Sequence, residues 1–176
     1  MRCVALLRGI GPGNPNMRND KLRAVVERVG GRNVQSVISS GNVLFDTDSR
    51  GTRALEQRLE AAWPEQLGFT STTIIRTKPQ LLRLVEENPF GDREDSPSAR
   101  LNVTFLQRGP EKGHTPPPTP EGRGYEVVAV TDGAVCTAVD LSGSTTPDVM
   151  RWLESVYGTA ITTRTWKTVH RIAAKL

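Results

Sequence analysis

The segment VQSVISSGNVLFD, residues 34–46, predicts a β-hairpin. Residues 34–38 and 43–46 are rich in β-branched side chains, which pack well on a pleated sheet. The two runs are joined through Ser40-Gly41-Asn42-Val43, where glycine at the first central position favours a type II′ turn. The hairpin lies between two helical patterns, and this placement determines the order of elements in the first half of the chain.

Helical patterns flank the hairpin on both sides. Apolar residues recur at the spacing of an amphipathic helix before it (Leu22, Val25, Val26, Val29) and after it (Leu55, Leu59, Ala62, Trp63). Residues 2–8 and 71–76 lie outside these helices and have the composition of strands. The resulting order predicts a ferredoxin-like, or split βαβ, subdomain over residues 1–77. In that fold both helices cover one face of an antiparallel sheet, and the other face is left for a partner such as a second domain.

The second half of the chain repeats this pattern less completely. Residues 78–99 predict a connecting helix and an exposed linker, and residues 100–176 predict a second, eroded ferredoxin-like subdomain with a C-terminal helix. Thr145 or Thr146 is expected to cap the helix before that last one. Residues 107–124 are dense in glycine and proline, so we expect a mobile loop there. The predicted fold class is α+β, with two ferredoxin-like subdomains, antiparallel sheets with helices packed on one face, and a C-terminal helix.

Composition is that of an ordinary globular protein, with 36% hydrophobic and 24% charged residues. No apolar run approaches the roughly 20 residues that cross a bilayer, and the N-terminus lacks the pattern of a signal peptide. We therefore expect a cytoplasmic protein that does not associate with membranes. The net charge of +4 permits binding of nucleic acid or phosphate without arguing strongly for either. No segment indicates a protein partner.

Residues that could catalyse a reaction or bind a metal are sparse. Cys3 and Cys136 lie in strand-like stretches and are expected to be buried hydrophobic residues. His114 and His170 have no second histidine or cysteine at ligand spacing, so neither a metal site nor a cofactor is predicted. No nucleophile, histidine and acid form a recognisable set, and catalytic residues remain unknown.

Three polar segments lie where apolar runs begin or end: Leu7–Asn16, Ser39–Val43 and Thr162–Val169. In the first, three glycines and an asparagine permit positive φ, so that consecutive backbone N–H groups can converge on an anion, with Arg8 adding donors; these residues are Gly9, Gly11, Gly13 and Asn14. A helix is expected to begin near Asn16 and to add further N–H groups. The alternative is a tight turn that only connects two elements.

The other two polar segments carry hydroxyl, amide and guanidinium groups. Ser40, Gly41 and Asn42 are expected to lie beside Arg8, because the strands that carry them are neighbours in this fold. Turn chemistry alone also accounts for them. In the third segment Thr163 and Arg164 are candidate ligand-binding residues. Thr165 is expected to cap the last helix by accepting a bond from the Thr168 amide.

The three polar segments together resemble the conserved pattern of the bacterial domain-of-unknown-function family 1697. The family's first segment is usually L-L-R-G-I-N-V-G-G-x-N; here Leu6, Leu7, Arg8, Gly9, Ile10, Gly13 and Asn16 match, whereas Gly11 and Pro12 replace asparagine and valine. Its third segment resembles T-T-R-N-W-x-T-V, from which this chain departs at Thr165. The resemblance implies the same two-part architecture and no established activity.

One functional hypothesis joins the three segments. We expect a binding module in which Arg8, the glycine loop, Ser40 to Asn42 and Arg164 meet at a groove between the subdomains. The ligand would be anionic, either a phosphate-containing small molecule or the backbone of a nucleic acid. Two alternatives stay open: an enzyme of unknown reaction that uses the hydroxyl and arginine groups of the same groove, and a structural scaffold.

Overall fold

A computed structural model describes residues 1–11, 13–38, 41–109 and 115–176. The chain divides into two compact units: unit 1 consists of Met1–Arg83 with His170–Leu176, and unit 2 of Leu84–Val169. Unit 1 is thus discontinuous in sequence, unlike the predicted subdomain of residues 1–77. No helix in the described residues has the length and apolar character needed to span a membrane.

Unit 1 contains the elements that the first half of the sequence predicts. They are β1 (Arg2–Leu7), α1 (Asn19–Arg28), β2 (Arg32–Ser36), β3 (Asn42–Asp46), α2 (Thr52–Leu67), β4 (Thr73–Thr77) and most of α3 (Lys78–Glu87). The strands form an antiparallel sheet in the order β2-β3-β1-β4. This order places β3 between β1 and β2, as a split βαβ unit requires. The predicted ferredoxin-like arrangement is confirmed.

Helices α1 and α2 of unit 1 pack on one face of the sheet. Alternate residues of β1, including Cys3 and Ala5, form one apolar core with Val25 of α1 and Leu59 and Trp63 of α2. The opposite face of the sheet is also buried, since its residues Val4, Leu6, Leu44 and Ile74 are fully inaccessible to solvent. The sheet is therefore apolar on both sides, which explains the nearly unbroken hydrophobic run of β1.

The β2–β3 hairpin is paired differently from the prediction. The predicted turn would bring Ser40 opposite Val43, whereas Val43 lies opposite Ser36. The Val37 amide donates to the Asn42 carbonyl at 3.0 Å. The Asn42 side chain adds a second bond, because Nδ2 donates to the Val37 carbonyl oxygen at 2.9 Å. The predicted type II′ turn through Ser40-Gly41-Asn42-Val43 is wrong. Asn42 belongs to β3 and is held there by both its backbone and its side chain.

Unit 2 repeats the strand order of unit 1. Its elements are β5 (Ala99–Leu106), β6 (Tyr125–Thr131), β7 (Ala134–Asp140), α4 (Val149–Tyr157), β8 (Ile161–Thr165) and the first half of α5 (Trp166–Ala173). The antiparallel sheet runs β6-β7-β5-β8. Between β5 and β6 the described residues, 107–109 and 115–124, contain no helix. The strand order is that of a ferredoxin-like unit, and the described part of the β5–β6 connection lacks the first helix of that fold, in agreement with the eroded form that the sequence predicts.

The cap of α4 differs from the prediction. The Asp148 carboxylate accepts a hydrogen bond from the Arg151 amide at 3.2 Å, and the helix begins at Val149. Thr145 and Thr146, the predicted caps, precede Pro147, which disfavours helical geometry in the residue before it. Asp148 follows the proline and takes the capping position. Val149 and Leu153 of this helix are buried in the core of unit 2.

Two carboxylates of α2 cover the open edge of the first sheet. Oε1 of Glu60 accepts from the Thr73 amide at 2.8 Å, and Oε1 of Glu56 accepts from the Ile75 amide at 2.9 Å. Both amides belong to β4, the last strand in the order β2-β3-β1-β4. Alternate N–H groups of an edge strand are thereby satisfied by residues one helical turn apart.

The substitution Glu56→Ala is expected to lower the free energy of unfolding by about 1–3 kcal/mol, because it leaves the Ile75 amide buried without an acceptor. Glu56→Gln keeps an acceptor oxygen and should cost less. The control is Glu65→Ala on the exposed side of the same helix, expected to change stability by less than about 0.5 kcal/mol. Urea denaturation measures all three, and equal losses for Glu56→Ala and Glu65→Ala would refute the edge-capping role.

Candidate functional site

The first and second polar segments meet in unit 1. The Leu7 amide donates to the Gly41 carbonyl at 2.9 Å, and Leu6 of β1 pairs with Asn42 of β3. A methyl group on Gly41 would lie 2.6 Å from Cγ1 of Ile10 and 3.0 Å from Cβ of Leu7. The loop after β1 therefore packs directly against the hairpin end. Ser40 lies outside the described residues.

The backbone of Arg8 is anchored at both ends. Its amide donates to the Thr72 carbonyl at 2.9 Å, and its carbonyl accepts from Oγ of Ser71 at 2.8 Å. Gly9 follows in the left-handed region, with φ of +71°, and turns the chain away from the sheet. Arg8 is half-buried and Gly9 is exposed. The guanidinium is thus carried by a fixed backbone at the end of a core strand.

The rest of this loop has fewer left-handed residues than expected. Neither Gly11 nor Gly13 has a positive φ, and Asn14 has φ of −98°. Asn14 instead caps a 3₁₀ turn, Pro15–Met17, by accepting from the Asn16 amide at 2.9 Å. This turn occupies the place where the sequence predicts the helix to begin, and α1 itself starts at Asn19.

Several loop amides donate inside the loop. The Gly11 amide faces Sδ of Met17 at 3.5 Å, and the Asn14 amide donates to the Gly11 carbonyl at 3.3 Å. By contrast, the amides of Gly9, Ile10 and Gly13 have no acceptor within the described residues. A ligand at this loop would therefore meet two consecutive amides, those of Gly9 and Ile10, and a third at Gly13, rather than a nest that runs through the whole loop.

Asn16 ties the loop to two other elements. Its Nδ2 donates to the Leu67 carbonyl at the end of α2 at 3.0 Å, and its Oδ1 accepts from Nζ of Lys21 at 2.7 Å. The Lys21 ammonium is thereby held close to the loop. Lys21 is not among the residues predicted from the sequence, although its place in the first turn of the helix after the loop could have indicated it.

Asn42 is fully buried, and its amide is committed to the hairpin as described above. Its predicted role in ligand binding stays a prediction, and the geometry assigns it a structural role. Gly41 is the position where left-handed backbone, with φ of +72°, and close packing coincide. The described residues of the second polar segment therefore have a structural role: Gly41 packs against the loop that carries Arg8.

The third polar segment lies in unit 2, on the edge strand β8. Oγ1 of Thr163 is 2.7 Å from Oγ1 of Thr104 on β5 and 2.9 Å from Sδ of Met150 on α4. Arg164 is 9% exposed, and its Nη1 donates to Oγ1 of Thr162 at 2.9 Å and to the Thr163 carbonyl at 2.8 Å. Burial lowers the pKa of the Arg164 guanidinium to about 10, which leaves it charged at neutral pH.

The end of this segment behaves as predicted. The Thr168 amide donates to Oγ1 of Thr165 at 3.2 Å, which confirms Thr165 as the cap of α5. Trp166 is 8% exposed and packs against Phe90 with ring centroids 5.2 Å apart. Arg8 belongs to unit 1 and Arg164 to unit 2, so the expected meeting of the two guanidinium groups stays a prediction.

A pocket of about 520 Å³ lies in unit 2 and contains none of the predicted ligand residues. It is formed where β6 begins, between Arg93, Pro120, Arg123 and Tyr125. Nη1 of Arg93 forms an ion pair with Glu126 at its wall. Two glycines of the Pro/Gly-rich segment, Gly122 and Gly124, line this pocket, and both have positive φ. Their place in that segment was the only indication of the pocket in the sequence.

The two cysteines are buried and unpaired with each other. Burial raises the pKa of each thiol to about 12, so both are protonated at neutral pH and are poor nucleophiles. Within the described residues, no three histidine, cysteine, aspartate or glutamate side chains are grouped as a metal site.

Comparisons with known proteins agree with this architecture. A family model described as "Protein of unknown function (DUF1697)" matches residues 1–135. The conserved bacterial protein SP0830 from Streptococcus pneumoniae has a similar structure, with a TM-score of 0.70 and 19% sequence identity. The similarity covers 98% of this chain and 97% of that one, and at this identity it shows the fold alone. No curated protein matches. The chain belongs to the DUF1697 family.

Proposed function

We propose that this chain is a binding module for an anionic, phosphate-bearing ligand, and that the loop after β1 is part of its site. The observation that carries the proposal is the set of exposed or half-buried amides at Gly9, Ile10 and Gly13, which have no acceptor within the described residues. Arg8 precedes them, and Lys21 is held at the end of the same loop through Asn16.

Amide donors beside two cations favour a ligand with several acceptor oxygens. Phosphate offers such oxygens and a negative charge, and arginine matches its geometry with paired N–H groups. A net charge of +4 supports attraction of an anion from a distance. Both a phosphate-containing small molecule and a nucleic-acid backbone meet these requirements.

Arg164 and Thr163 remain part of the proposal as residues that contact the same ligand as Arg8. Arg164 stays charged at neutral pH despite its burial. If Arg164 contacts this ligand, Arg164→Gln alone will weaken its binding, as Arg8→Gln does. Unchanged affinity in Arg164→Gln would remove Arg164 from the site and leave the loop in unit 1.

The test measures binding by calorimetry, with inorganic phosphate, a mononucleotide and a single-stranded oligonucleotide as probes. We expect Arg8→Gln and Lys21→Gln to weaken binding of at least one probe by about tenfold each. The matched control is Arg18→Gln, since Arg18 is 71% exposed beside the same loop and pairs only loosely with Asp20. Equal affinity in all three variants, or no binding of any probe to the wild type, contradicts the proposal.

Salt dependence separates the two ligand classes. Binding of an oligonucleotide through several phosphates weakens steeply as salt rises, by a slope of roughly −0.7 per phosphate contact for single strands. Binding of a small phosphate ester by one pocket should vary much less. A steep slope that flattens in Arg8→Gln assigns the loop to a nucleic-acid backbone.

A structural scaffold is the second candidate, favoured by the internal bonding of three asparagines. Asn14 caps a turn, Asn16 bridges two elements, and Asn42 closes the hairpin. In this case Arg8→Gln lowers the melting temperature, and no phosphate probe raises it. The calorimetric test above distinguishes the two candidates.

A further inference from the structure

Positive charge is concentrated in unit 1. Of the 23 lysine and arginine residues in the chain, 15 belong to unit 1, whereas 12 of the 19 aspartate and glutamate residues belong to unit 2. The formal net charge is therefore +8 in unit 1 and −4 in unit 2. A bias of the whole chain toward arginine would raise both values alike and does not explain the difference. An excess of positive charge in one part of a protein favours a polyanionic ligand.

Helices α1 and α2 of unit 1 lie side by side and run antiparallel. At one end, Nδ2 of Asn16, which precedes α1, donates to the Leu67 carbonyl at the end of α2. At the other end, Nη2 of Arg58 in α2 donates to the carbonyl of Val29, the residue that follows α1. The start of α1 is therefore beside the end of α2, and the end of α1 is beside Arg58.

Three cations mark the line of contact between these helices, the helix seam: Lys21, Arg28 and Arg58. Lys21 and Arg28 are about two helical turns apart, so they lie on the same side of α1. That side faces α2, because Nη1 of Arg28 donates to Oε1 of Gln66 at 2.7 Å. Arg28 and Arg58 are exposed, and Lys21 is half-buried. The helix seam thus continues from the loop that carries Arg8 to the end of α1.

The three cations of the helix seam are held by neutral acceptors. Lys21 donates to an asparagine oxygen, Arg28 to a glutamine oxygen and Arg58 to a backbone carbonyl. Within the described residues none of them forms an ion pair, unlike Arg32, whose guanidinium lies 2.6 Å from the Asp48 carboxylate. The side chains therefore have defined positions while their charges stay available to a ligand.

We propose that the sugar-phosphate backbone of a nucleic acid binds along the helix seam, from the loop after β1 to Arg58. This inference rests on the proposed function of that loop and extends its ligand from one phosphate to a chain of phosphates. The Lys21 ammonium is held at the start of α1 and the Arg58 guanidinium at its end, and this ten-residue helix is about 15 Å long. One phosphate group cannot contact both cations, whereas successive phosphates of a strand can.

The surface of the two helices favours a nucleic acid over an anionic membrane. A helix that binds at a membrane surface inserts large apolar side chains. Among the described residues, the large hydrophobic side chains that are exposed lie outside α1 and α2; they are Met1, Ile38 and Leu82. Neither helix exposes an aromatic ring for base stacking, because Trp63, the one aromatic residue in them, is fully buried. Contacts are therefore with phosphates, and binding should depend little on base sequence.

Fluorescence anisotropy with a labelled single strand and a labelled duplex tests the proposal. We expect Arg28→Gln and Arg58→Gln each to weaken binding by about threefold to tenfold and to reduce the magnitude of the salt slope by about 0.7–0.9. The matched control is Arg53→Gln, which removes the same charge from an exposed position about 140° around α2 from Arg58 and should have no effect. Equal affinity in all three variants overturns the proposal.

A change of opposite sign separates a binding effect from misfolding. Glu65 is exposed and lies about two turns after Arg58 on the same side of α2, so its carboxylate repels a phosphate chain on the helix seam. Glu65→Gln should tighten binding of the oligonucleotide by about twofold to threefold, which a destabilised variant would not do. Unchanged or weaker binding in Glu65→Gln contradicts the placement of the strand.

A nucleoside monophosphate distinguishes the helix seam from the loop. Its single phosphate should bind to Arg28→Gln and Arg58→Gln as tightly as to the wild type, because both arginines lie beyond the loop. If Arg8→Gln weakens binding of the mononucleotide but neither seam variant weakens binding of the oligonucleotide, the helix seam is overturned and the loop stands. If Arg8→Gln affects neither probe, the loop is refuted instead. Binding to phosphatidylserine vesicles but to neither oligonucleotide overturns the choice of ligand.

Discussion

The substitution Trp63→Ala is expected to lower the free energy of unfolding by about 3–5 kcal/mol. Trp63 is fully buried in the core of unit 1, and its ring lies parallel to Phe69 with centroids 6.2 Å apart. Its Nε1 donates to Oγ1 of Thr73 at 2.8 Å. The substitution therefore leaves a large cavity and a buried hydroxyl without its donor. Because domains are stable by only about 5–15 kcal/mol, unit 1 should be close to unfolding.

Two milder variants separate the ring from its hydrogen bond. Trp63→Phe keeps most of the packing and removes the donor, whereas Thr73→Val keeps the shape of the acceptor residue and removes the oxygen. A double-mutant cycle of these two changes should give a coupling of about 1 kcal/mol in urea denaturation. A loss below about 1 kcal/mol for Trp63→Ala would mean that the region relaxes to fill the cavity, contrary to the packing described here.

The substitution Gly41→Ala is expected to destabilise the protein by about 2–5 kcal/mol, through two separate effects. Gly41 has φ of +72°, a backbone conformation that costs an alanine about 1–2 kcal/mol. Its new methyl group would also lie 2.6 Å from Cγ1 of Ile10, and crowding of this kind costs about 1–3 kcal/mol. Ile10 must move, and the loop that carries Arg8 moves with it.

Gly9→Ala is the matched control, because Gly9 has nearly the same φ, +71°, but nothing within 4 Å of the position of a new methyl group. Its loss should be limited to the backbone effect, about 1–2 kcal/mol. Thermal denaturation of the two variants then isolates the packing between loop and hairpin. Equal losses would show that Ile10 moves at little cost and that its packing against Gly41 contributes little to stability.

The helices of unit 1 could be predicted because their apolar residues recur at helical spacing. Leu22, Val25 and Val26 of α1 are all fully buried on the sheet, as the stripe requires. The strand order follows from the arrangement of elements, since a hairpin between two helices is typical of the split βαβ fold. These features depend on local periodicity, which a single sequence carries in full.

Turns and caps could be predicted only in part, because neighbouring residues compete for the same backbone groups. Thr145, Thr146 and Asp148 are all good caps, and the geometry imposed by Pro147 decides among them. At the hairpin the Asn42 side chain bonds to Val37 and draws Asn42 into the strand. The glycine signal of Gly41 indicated a bend correctly but not the pair of residues that closes it.

Polar contacts between residues far apart in the chain could not be predicted from the sequence. The bonds from Glu56 and Glu60 to β4 join residues 13 to 19 positions apart, and the bond from Asn16 to Leu67 spans 51 positions. No local pattern distinguishes these side chains from solvent-exposed ones. For the candidate site, the neighbourhood of Arg8 and Gly41 followed from strand order. The conformations of Gly11, Gly13 and Asn14 did not, because glycine permits positive φ without requiring it.

The discontinuity of unit 1 affects how the protein is made. A ribosome completes residues 1–83 and then synthesises the whole of unit 2 before it reaches His170–Leu176. Nζ of Lys78 donates to the Leu176 carbonyl at 2.7 Å, and this contact cannot form until unit 2 has been synthesised. Folding domain by domain during translation is common. Here unit 1 begins to emerge before unit 2 and is completed after it.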